Sequence, residues 1–451
     1  MTRSYKRIVG IALLLTATII NASAQQATPL SMQACMDYAL KHNYNIRNSQ
    51  LDVLIQKAQN NQTLSAAYPH INGKVEVDDF LKPQKTFIAA NSFNPSAPSD
   101  LIVGFPFALN YSGSAAISGS QLLFDGSVFV AVKARNTLME FARLNGEVTE
   151  ENVRYNVLKA YNSLVIAYRQ YDIIKSSLSY ARSLEHDVIV TQQNGFAEKI
   201  DVERTSVQVN NLATDSMRVA SLLTVSEQML KYQIGMDINT AIVLTDTAIE
   251  DRKQNIIRLM NEEEHYDKVP EFNVVNTSLK LNEYNLMRHK LNALPSVSIF
   301  GATGYNYGSN KFKDIMSFSN YAFNLMAGLQ LNIPIYNGSL RQNQVNEARL
   351  NIEKSKNSIA YLKQSIDFQA ATSRTVLKNA VLQVQSQRRN LELSDDVLDL
   401  ARRKYKAGVG SNLEVTQAQT DLLRAQTNYF SAQLDMINAE ADLKKALGLL
   451  K

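Results

Sequence analysis

Two long tracts of this chain contain no proline, and this absence limits the possible folds more than any other feature. The nine prolines leave residues 107–269 and 335–451 free of proline. Glycine is scarce there too, with only Gly146 in residues 127–194 and none in residues 339–407. Because an interior proline costs a helix ~3 kcal/mol, each tract can hold one uninterrupted helix. The first of these helices would span 68 residues and roughly 100 Å.

A helix of this length needs a partner, and a heptad pattern near the end of the chain provides for one. Ten positions follow 3–4 spacing without a break: Val415, Ala418, Leu422, Ala425, Tyr429, Ala432, Met436, Ala439, Leu443 and Ala446. This spacing is typical of a coiled coil. Half of the ten residues are alanine, which allows close approach and favours a wall of several helices.

The first 24 residues have the pattern of an export signal. A basic start with Arg3 is followed by an apolar stretch at residues 8–20, and Ala22-Ser23-Ala24 forms a small-x-small cleavage site. We expect residues 1–24 to be a signal peptide, with Gln25 starting the mature chain. The apolar stretch is too short for a bilayer, which needs ~20 residues. The only cysteine, Cys35, excludes an internal disulfide framework and lies too far downstream for a lipid anchor.

The charge balance gives no reason to expect nucleic acid as a partner. Without the three basic residues of the signal, the net charge falls from +5 to +2, with 44 basic and 42 acidic residues. No other segment approaches ~18 continuous apolar residues. An exported chain of this kind is periplasmic, secreted, or held in the outer membrane by β-strands.

The chain is predicted to be internally duplicated. Four sequence marks recur in the same order, at offsets of 226, 212, 213 and 213 residues: Tyr68-Pro69 with Leu294-Pro295, Leu123–Ser127 with Ile335–Ser339, Asn194–Val202 with Ala407–Val415, and Ile234–Met236 with Leu447–Leu449. We therefore expect a first repeat at residues 25–236, a connector in the equatorial region at residues 237–269, and a second repeat at residues 270–451.

Each repeat contains two segments with the length of membrane-spanning strands, joined by a loop rich in Asn, Ser and aromatic residues. The predicted hairpins pair residues 71–80 with 112–124, and residues 296–305 with 323–334. A transmembrane β-strand needs ~9–11 residues. Since four strands cannot close a barrel and open edges are not tolerated in lipid, the chain is predicted to oligomerise. A trimer would give twelve strands.

At this point the sequence resembles the TolC-like outer-membrane factor family over nearly the whole mature chain. The residues that carry the resemblance are Ser31–Asn45, the prolines before each hairpin, the strand-to-helix turns with Asp125-Gly126 and Asn337-Gly338, and the run Tyr405–Val415 followed by Gln417-Ala418-Gln419. The resemblance implies an α+β membrane protein of long antiparallel coiled-coil helices. Each chain would contribute four strands to a trimeric, 12-stranded transmembrane β-barrel, above a helical tunnel in the periplasm.

The resemblance also implies a function and partners. A homotrimer in the cell outer membrane, in contact with its lipid, would be the exit duct of a tripartite efflux or type I secretion system. It would work with a periplasmic adaptor protein and an inner-membrane pump of RND, ABC or MFS type, without cofactors. The cargo stays open among drugs, metal ions, dyes and proteins.

Two groups of site residues follow from the resemblance. The turns with Gly195, and with Gly408 and Gly410, would form the periplasmic tip where an adaptor docks. A resting gate would involve four residues: Asp201, Glu414, Tyr405 and Gln417. Two positions depart from the family, which has arginine where this chain has Gly410 and an acid where it has Gln417. Independently of the family, Asp201 and Glu414 suit the positive end of a helix dipole.

Two other classes of protein fit less well. An enzyme needs convergent polar groups, but the five histidines have no metal-ligand spacing and no nucleophile or phosphate-binding motif occurs. No catalytic, metal-binding or cofactor-binding residue is therefore predicted. A secreted or surface coiled-coil adhesin would explain the long helices but not the duplicated hairpins.

Overall fold

The structure is a computed structural model that describes residues 28–106, 109–245, 253–316 and 321–450. The predicted signal peptide lies outside the described residues. The elements, in chain order, are β1 (Thr28–Leu30), α1 (Met32–His42), α2 (Tyr44–Ser65), β2 (His70–Asp79), β3 (Lys85–Ala89), β4 (Ile102–Pro106), β5 (Tyr111–Phe124), α3 (Gly126–Gln193), α4 (Lys199–Ile234), β6 (Ile242–Leu244), α5 (Lys253–Met260), α6 (Pro270–Leu291), β7 (Ser296–Ser309), β8 (Tyr321–Asn332), α7 (Leu340–Lys406) and α8 (Asn412–Ala446).

The two proline-free tracts form the two longest helices of the described chain. α3 has 68 residues and α7 has 67. Each is followed by a short turn and a second helix, α4 with 36 residues and α8 with 35. Among the described residues, no helix is both long and apolar enough to cross a membrane.

Residues divide into two compact units, each with its own packing. The first unit comprises the described parts of residues 1–53, 141–276 and 357–451, and the second comprises residues 54–140 and 277–356. The first unit contains most of the helical core. The second contains the main sheet.

One core of the helical unit lies where the chain's beginning meets α3 and α4. Leu164 of α3, Leu230 of α4 and Cys35 of α1 are fully buried there. Burying a side chain such as leucine contributes about 1.5–3 kcal/mol. β1 and β6 pair in parallel beside this core, with Leu30 opposite Leu244.

The predicted connector at residues 237–269 is packed more closely than its acidic composition indicates. It contains β6 and α5, and α5 buries Ile256 and Leu259 against a second core that includes Leu377 of α7 and Leu443 of α8. The apolar residues at this spacing, rather than the acids around them, decide the local structure, because they lie on one face of a helix.

The main sheet has four antiparallel strands in the order β2-β5-β7-β8. The predicted segments correspond to these strands, with two differences at their ends. β7 continues to Ser309 because Asn306, Tyr307 and Gly308 pair with the long strand β5. β8 stops at Asn332, and Pro334, which has no N–H to donate, follows two residues later.

The loop after β2 contains a second hairpin that was not predicted. β3 and β4 form five antiparallel pairs, from Lys85 opposite Pro106 to Ala89 opposite Ile102. The strand-forming pairs Phe87-Ile88 and Ile102-Val103 flank a stretch rich in Asn, Pro and Ser. This is the usual sequence pattern of a hairpin with a long turn.

A buried carboxylate lies in the helical unit between charged residues of three helices. Glu151 of α3 is 6% exposed. Burial raises the pKa of its carboxyl from 4.5 to about 7; Lys445 of α8 opposes this rise and Glu271 of α6 adds to it. The unfolded chain therefore releases this proton at a lower pH than the folded chain. Stability should fall as the pH rises from about 4.5 to about 7 and stay low above that range.

We predict that Glu151→Gln raises the apparent melting temperature more at about pH 8 than at about pH 5, because it removes a buried charge present only at the higher pH. Helical circular dichroism in detergent measures the shift. Glu150→Gln, whose native side chain is 43% exposed, controls for the loss of one acid. Equal shifts at both pH values for Glu151→Gln would contradict the prediction.

Candidate functional site: the paired helical turns

The turn between α3 and α4 ends the first long helix with a left-handed glycine. Gly195 has φ +79°. The N–H of Phe196 donates to Thr191 O at 3.0 Å, and the N–H of Gly195 donates to Gln192 O at 2.9 Å. These two bonds define a Schellman motif, in which glycine avoids the steric strain of the left-handed region.

The turn between α7 and α8 has the same geometry. Gly408 has φ +74°, and its N–H donates to Tyr405 O at 3.0 Å, while the N–H of Val409 donates to Lys404 O at 3.1 Å. A Cβ added at Gly195 or Gly408 would meet no atom within 4 Å. Both turns are therefore open on their outer side.

Gly410 differs from the other two glycines because its surroundings are crowded. A Cβ at this position would lie 2.9 Å from Lys404 Cβ and 3.0 Å from the backbone N of Tyr405. The local backbone would have to shift to accept any side chain. The arginine that the family resemblance leads one to expect here would not fit this turn as it stands.

The first turns of α4 and α8 carry the predicted acids in different settings. Ser411 caps α8, its Oγ accepting from the N–H of Glu414 at 3.2 Å, whereas Glu198 caps α4 without a side-chain bond. The carboxylate of Glu414 is exposed, and Asp201 is half-buried. Both lie where the helix dipole favours an acid.

The two hairpins are joined by an apolar core close to these turns. Leu184 and Val188 of α3 pack with Leu398 of α7 and Val415 of α8. Polar bonds continue the contact: Asn412 Nδ2 donates to Thr205 Oγ1 at 3.3 Å, and Gln208 Nε2 donates to Thr420 Oγ1 at 3.3 Å. α4 and α8 thus run level with one another from the turns.

Tyr405 lies at this core, beside two acids of the first hairpin. Burial raises the pKa of its hydroxyl, and the negative charges of Asp187 and Asp201 raise it further. Within the described residues, its hydroxyl makes no hydrogen bond to Asp201. The structure therefore places Tyr405 and Asp201 near each other without joining them.

Glu414 and Gln417 lie on another face of the hairpin, away from Tyr405. Both side chains are exposed, and both line a groove between α7 and α8. The Nε2 of Gln417 donates to the carboxylate of Asp421 at 3.1 and 3.2 Å. Of the four predicted gate residues, the structure brings together Tyr405 with Asp201, and Glu414 with Gln417, as two separate pairs.

One cross-link between the hairpins was not predicted. The guanidinium of Arg402 stacks 3.9 Å from the ring centre of Tyr180, and its Nη2 donates to Gln419 Oε1 at 3.1 Å. Gln419 Nε2 then donates to Ser177 Oγ at 3.4 Å. The only sequence signal was the position of Arg402 one turn before Tyr405, which does not reveal a contact with α3.

The two predicted strand-to-helix turns differ in detail. Asp125 caps α3, its Oδ1 accepting from the N–H of Ser127 at 2.7 Å. Burial raises the pKa of this carboxyl, but hydrogen bonds from Ser127 and Val128 outweigh it and lower the pKa overall. A Cβ at Gly126 would lie 2.9 Å from Leu291 O, so this glycine allows close approach of the two backbones.

The turn before α7 uses backbone conformation instead. Gly338 and Ser339 both have positive φ, +64° and +65°, and Asn337 O accepts from the N–H of Leu340 at 3.2 Å. In the described residues, no group of three His, Cys, Asp or Glu side chains could hold a metal ion. The site thus consists of turns and interhelical contacts.

These features define a class of fold: an α+β chain dominated by two long helical hairpins, with a four-stranded antiparallel sheet. Residues 270–449 match the family model described as "Outer membrane efflux protein". This half of the chain belongs to the outer membrane efflux protein family, which confirms the resemblance indicated by the sequence motifs. None of the curated proteins matches the chain.

Solved structures with the same fold cover nearly the whole chain. The outer membrane protein VceC of Vibrio cholerae aligns with a TM-score of 0.69 at 13% identity, over 92% of this chain and 96% of VceC. The CmeC outer membrane channel of Campylobacter jejuni aligns with a TM-score of 0.70 at 16% identity, over 92% and 85%. The open state of the MtrE outer membrane channel of Neisseria gonorrhoeae aligns at 0.66 and 16%, over 93% and 89%. At these identities, the likeness shows the fold.

Glycine at the far end of each hairpin offers a test of how open the turns are. Gly235 after α4 also has a positive φ, +75°, but a Cβ there would lie 2.7 Å from His42 O. We predict that Gly235→Ala lowers the melting temperature more than Gly195→Ala. Both variants lose about 1 kcal/mol through the left-handed backbone, and only Gly235→Ala adds an overpacking loss of about 1–3 kcal/mol. Thermal melts of the helical signal measure both. Equal losses would contradict the open geometry at Gly195.

Proposed function

We propose that this chain is the outer-membrane exit duct of a tripartite efflux or type I secretion system, acting as a homotrimer. The observation that carries the proposal is the division of the four-stranded sheet into one apolar and one polar face. A sheet in water buries its apolar face, whereas a strand that separates lipid from a lumen turns it outward.

The apolar face is continuous across all four strands. Because paired residues share a face, the register places the following side chains together: Ile71, Val75, Val77, Ile117, Ile299, Tyr305, Leu325, Leu329 and Leu331. Val75 is 80% exposed and Leu325 73% exposed. An apolar surface of this extent marks a membrane or protein contact.

The opposite face is polar. It carries Asn72, Lys74, Glu76, Asp78, Ser112, Ser114, Ser118, Asn306, Asn324 and Gln330. Near one end of the apolar face, aromatic rings pair across β7 and β8, with Tyr305–Phe323 centres 5.4 Å apart and Tyr307–Tyr321 centres 5.0 Å apart. Aromatic residues at this position suit the interface between lipid and water.

The open edges of the sheet support a trimer. β2 and β8 each pair with only one strand of the described sheet. In lipid, unpaired backbone groups cost several kcal/mol each. Pairing β8 of one copy with β2 of the next satisfies both edges, and three copies of four strands form a twelve-stranded barrel of ordinary size.

An internal duplication is supported by matching helix ends. Gly195 and Gly408 end the long helices, and Gly235 and Gly448 end the shorter ones, all with positive φ. Each pair is 213 residues apart. Duplicated hairpins in three copies give a wall of twelve helices, which would form the periplasmic tunnel.

The helical turns are the proposed contact for a periplasmic adaptor, and through it for an inner-membrane pump of RND, ABC or MFS type. Phe196 and Val409 follow the turn glycines and are 85% and 79% exposed. Apolar side chains this exposed at a helix end are available to another protein. Cargo would pass from the pump to the outside through the polar interior.

The second candidate, a secreted coiled-coil adhesin, is favoured only by the long helices. It gives no reason for an apolar sheet face more than half exposed at most of its large residues. A sheet of this kind would aggregate outside a membrane. The exit duct accounts for both parts of the chain.

The membrane role predicts opposite results for neighbouring residues of β8. Leu325→Lys places a charge on the lipid face, where it costs about 2–4 kcal/mol near the bilayer centre, and should sharply reduce trimers in the outer-membrane fraction. Asn324→Lys, on the polar face, should leave assembly near the native level. Carbonate-washed membranes and unheated gels measure both. Normal assembly of Leu325→Lys would argue against a lipid-facing sheet.

A resting gate at Tyr405 and Asp201 predicts a change in conductance. In the assembled trimer, we propose that these neighbours link the two hairpins. Tyr405→Phe combined with Asp201→Ala should raise resting conductance in planar bilayers several-fold. Tyr405→Phe combined with Asp187→Ala is the matched control, since Asp187 also acts on Tyr405 but lies on α3. Unchanged conductance with Asp201→Ala, or an equal rise in the control, would contradict the link.

A further inference from the structure

A groove on the outer side of the second hairpin remains unfilled beside the turn. This tip groove lies between α7 and α8, and its apolar part includes Val397, Leu400 and Leu413. These three side chains are 57%, 56% and 53% exposed. The hairpin's other side already packs on α3, so the groove is open to another helix.

The rim of the tip groove is charged. Lys404, Glu414 and Asp421 line it, which gives one more negative charge than positive. Among the described ion pairs, none involves the carboxylate of Glu414, and Asp421 has only a distant partner in Arg424 at 3.8 Å. A basic, partly apolar helix would complement this rim.

The chain itself provides such a helix face on α4. Ile200 and Val207 are 46% and 58% exposed, and the exposed Arg204 lies between them. None of the described ion pairs or hydrogen bonds involves the Arg204 guanidinium. Lys199 differs, because it is paired with Glu203 at 3.5 Å.

The heights of the two surfaces match. Gln208 of α4 bonds Thr420 of α8, and these residues are 212 positions apart, so helices α4 and α8 rise level from their turns. Rotation about an axis along the helices preserves height. In a symmetric assembly, Arg204 of one copy therefore comes level with Gln417 of the next, between Glu414 one turn below and Asp421 one turn above.

We propose that the tip groove of each copy receives the α4 face of a neighbouring copy, with Arg204 inserted between Glu414 and Asp421. This inference rests on the proposed trimer and assigns its contact at the turns. Ile200 and Val207 cover the apolar floor, and the guanidinium neutralises two acids that are separated by two helical turns. Glu414 then joins neighbouring copies, in place of an acidic ring in the lumen.

Paired cysteines test the proximity. The native Cys35 is fully buried and can stay in place. Val207→Cys with Leu400→Cys should form disulfides between copies in isolated outer membranes, visible as covalent dimers and trimers on non-reducing gels. Val225→Cys with Leu400→Cys is the matched control: Val225 is 60% exposed on the same helix but lies about five turns from Val207, and should not cross-link.

Charge reversal tests the ion pair. Arg204→Glu should lower the temperature at which the detergent-solubilised trimer dissociates, and Glu414→Arg in the same chain should restore at least half of the loss. Lys199→Glu, a reversal at the same end of α4, should have little effect and should not be rescued by Glu414→Arg.

The outcomes separate the inference from the proposed trimer. Native mass of the unmodified protein decides the trimer first. If it is a trimer and the Val207–Leu400 pair does not cross-link, or links only to a different protein, the tip groove belongs to another partner and the inference is overturned. Cross-links without charge rescue would overturn the role of Arg204.

Discussion

Side chains of a β-strand point alternately to opposite faces, and this period of two places Val75, Leu325 and Leu329 together on one side of the sheet. Nothing in the sheet's own unit covers them: Leu325 and Leu329 are 73% and 72% exposed. At about 25 cal/mol per Å², leaving such a surface in water is expensive, and a lipid environment removes the expense. The same environment then forbids unpaired strand edges. Oligomerisation thus follows from where a few leucines and valines point.

The helical unit satisfies a different requirement. α3 and α7, with 68 and 67 residues, far exceed the length that an isolated helix needs, and their stability depends on lateral packing. Alanines at 418, 425, 432 and 439 are buried, so backbones approach closely along α8. Polar bonds such as Asn412–Thr205 fix the register of the two hairpins, which apolar contacts alone leave free to slide. The turns therefore lie level.

Sequence patterns predicted the long helices to within a residue, because proline and glycine act on the backbone locally: residues 127–194 were expected and α3 covers Gly126–Gln193. Contacts between distant segments were not accessible in this way. β1 and β6 have three residues each and lie more than 200 positions apart, too short to leave a periodic signal. The Arg402–Tyr180 stack depends on the rotation of two helices about their axes. The same rotation turns Glu414 to the groove, away from Tyr405, which spacing from Gly408 does not determine.

The turn at Gly410 connects these observations to charge at the tip. Any side chain there meets the backbone of Tyr405 and the Cβ of Lys404, so the tight Schellman turn and a basic residue at 410 exclude each other. A chain with this turn must place positive charge elsewhere if its acids are to be neutralised. Arg204 is the nearest basic residue of α4 without a described partner, at the height of Glu414 and Asp421 but on the other hairpin. Within one copy it cannot reach the groove on the far side of α8. A neighbouring copy can, and this makes neutralisation of the acids a property of the assembled tip.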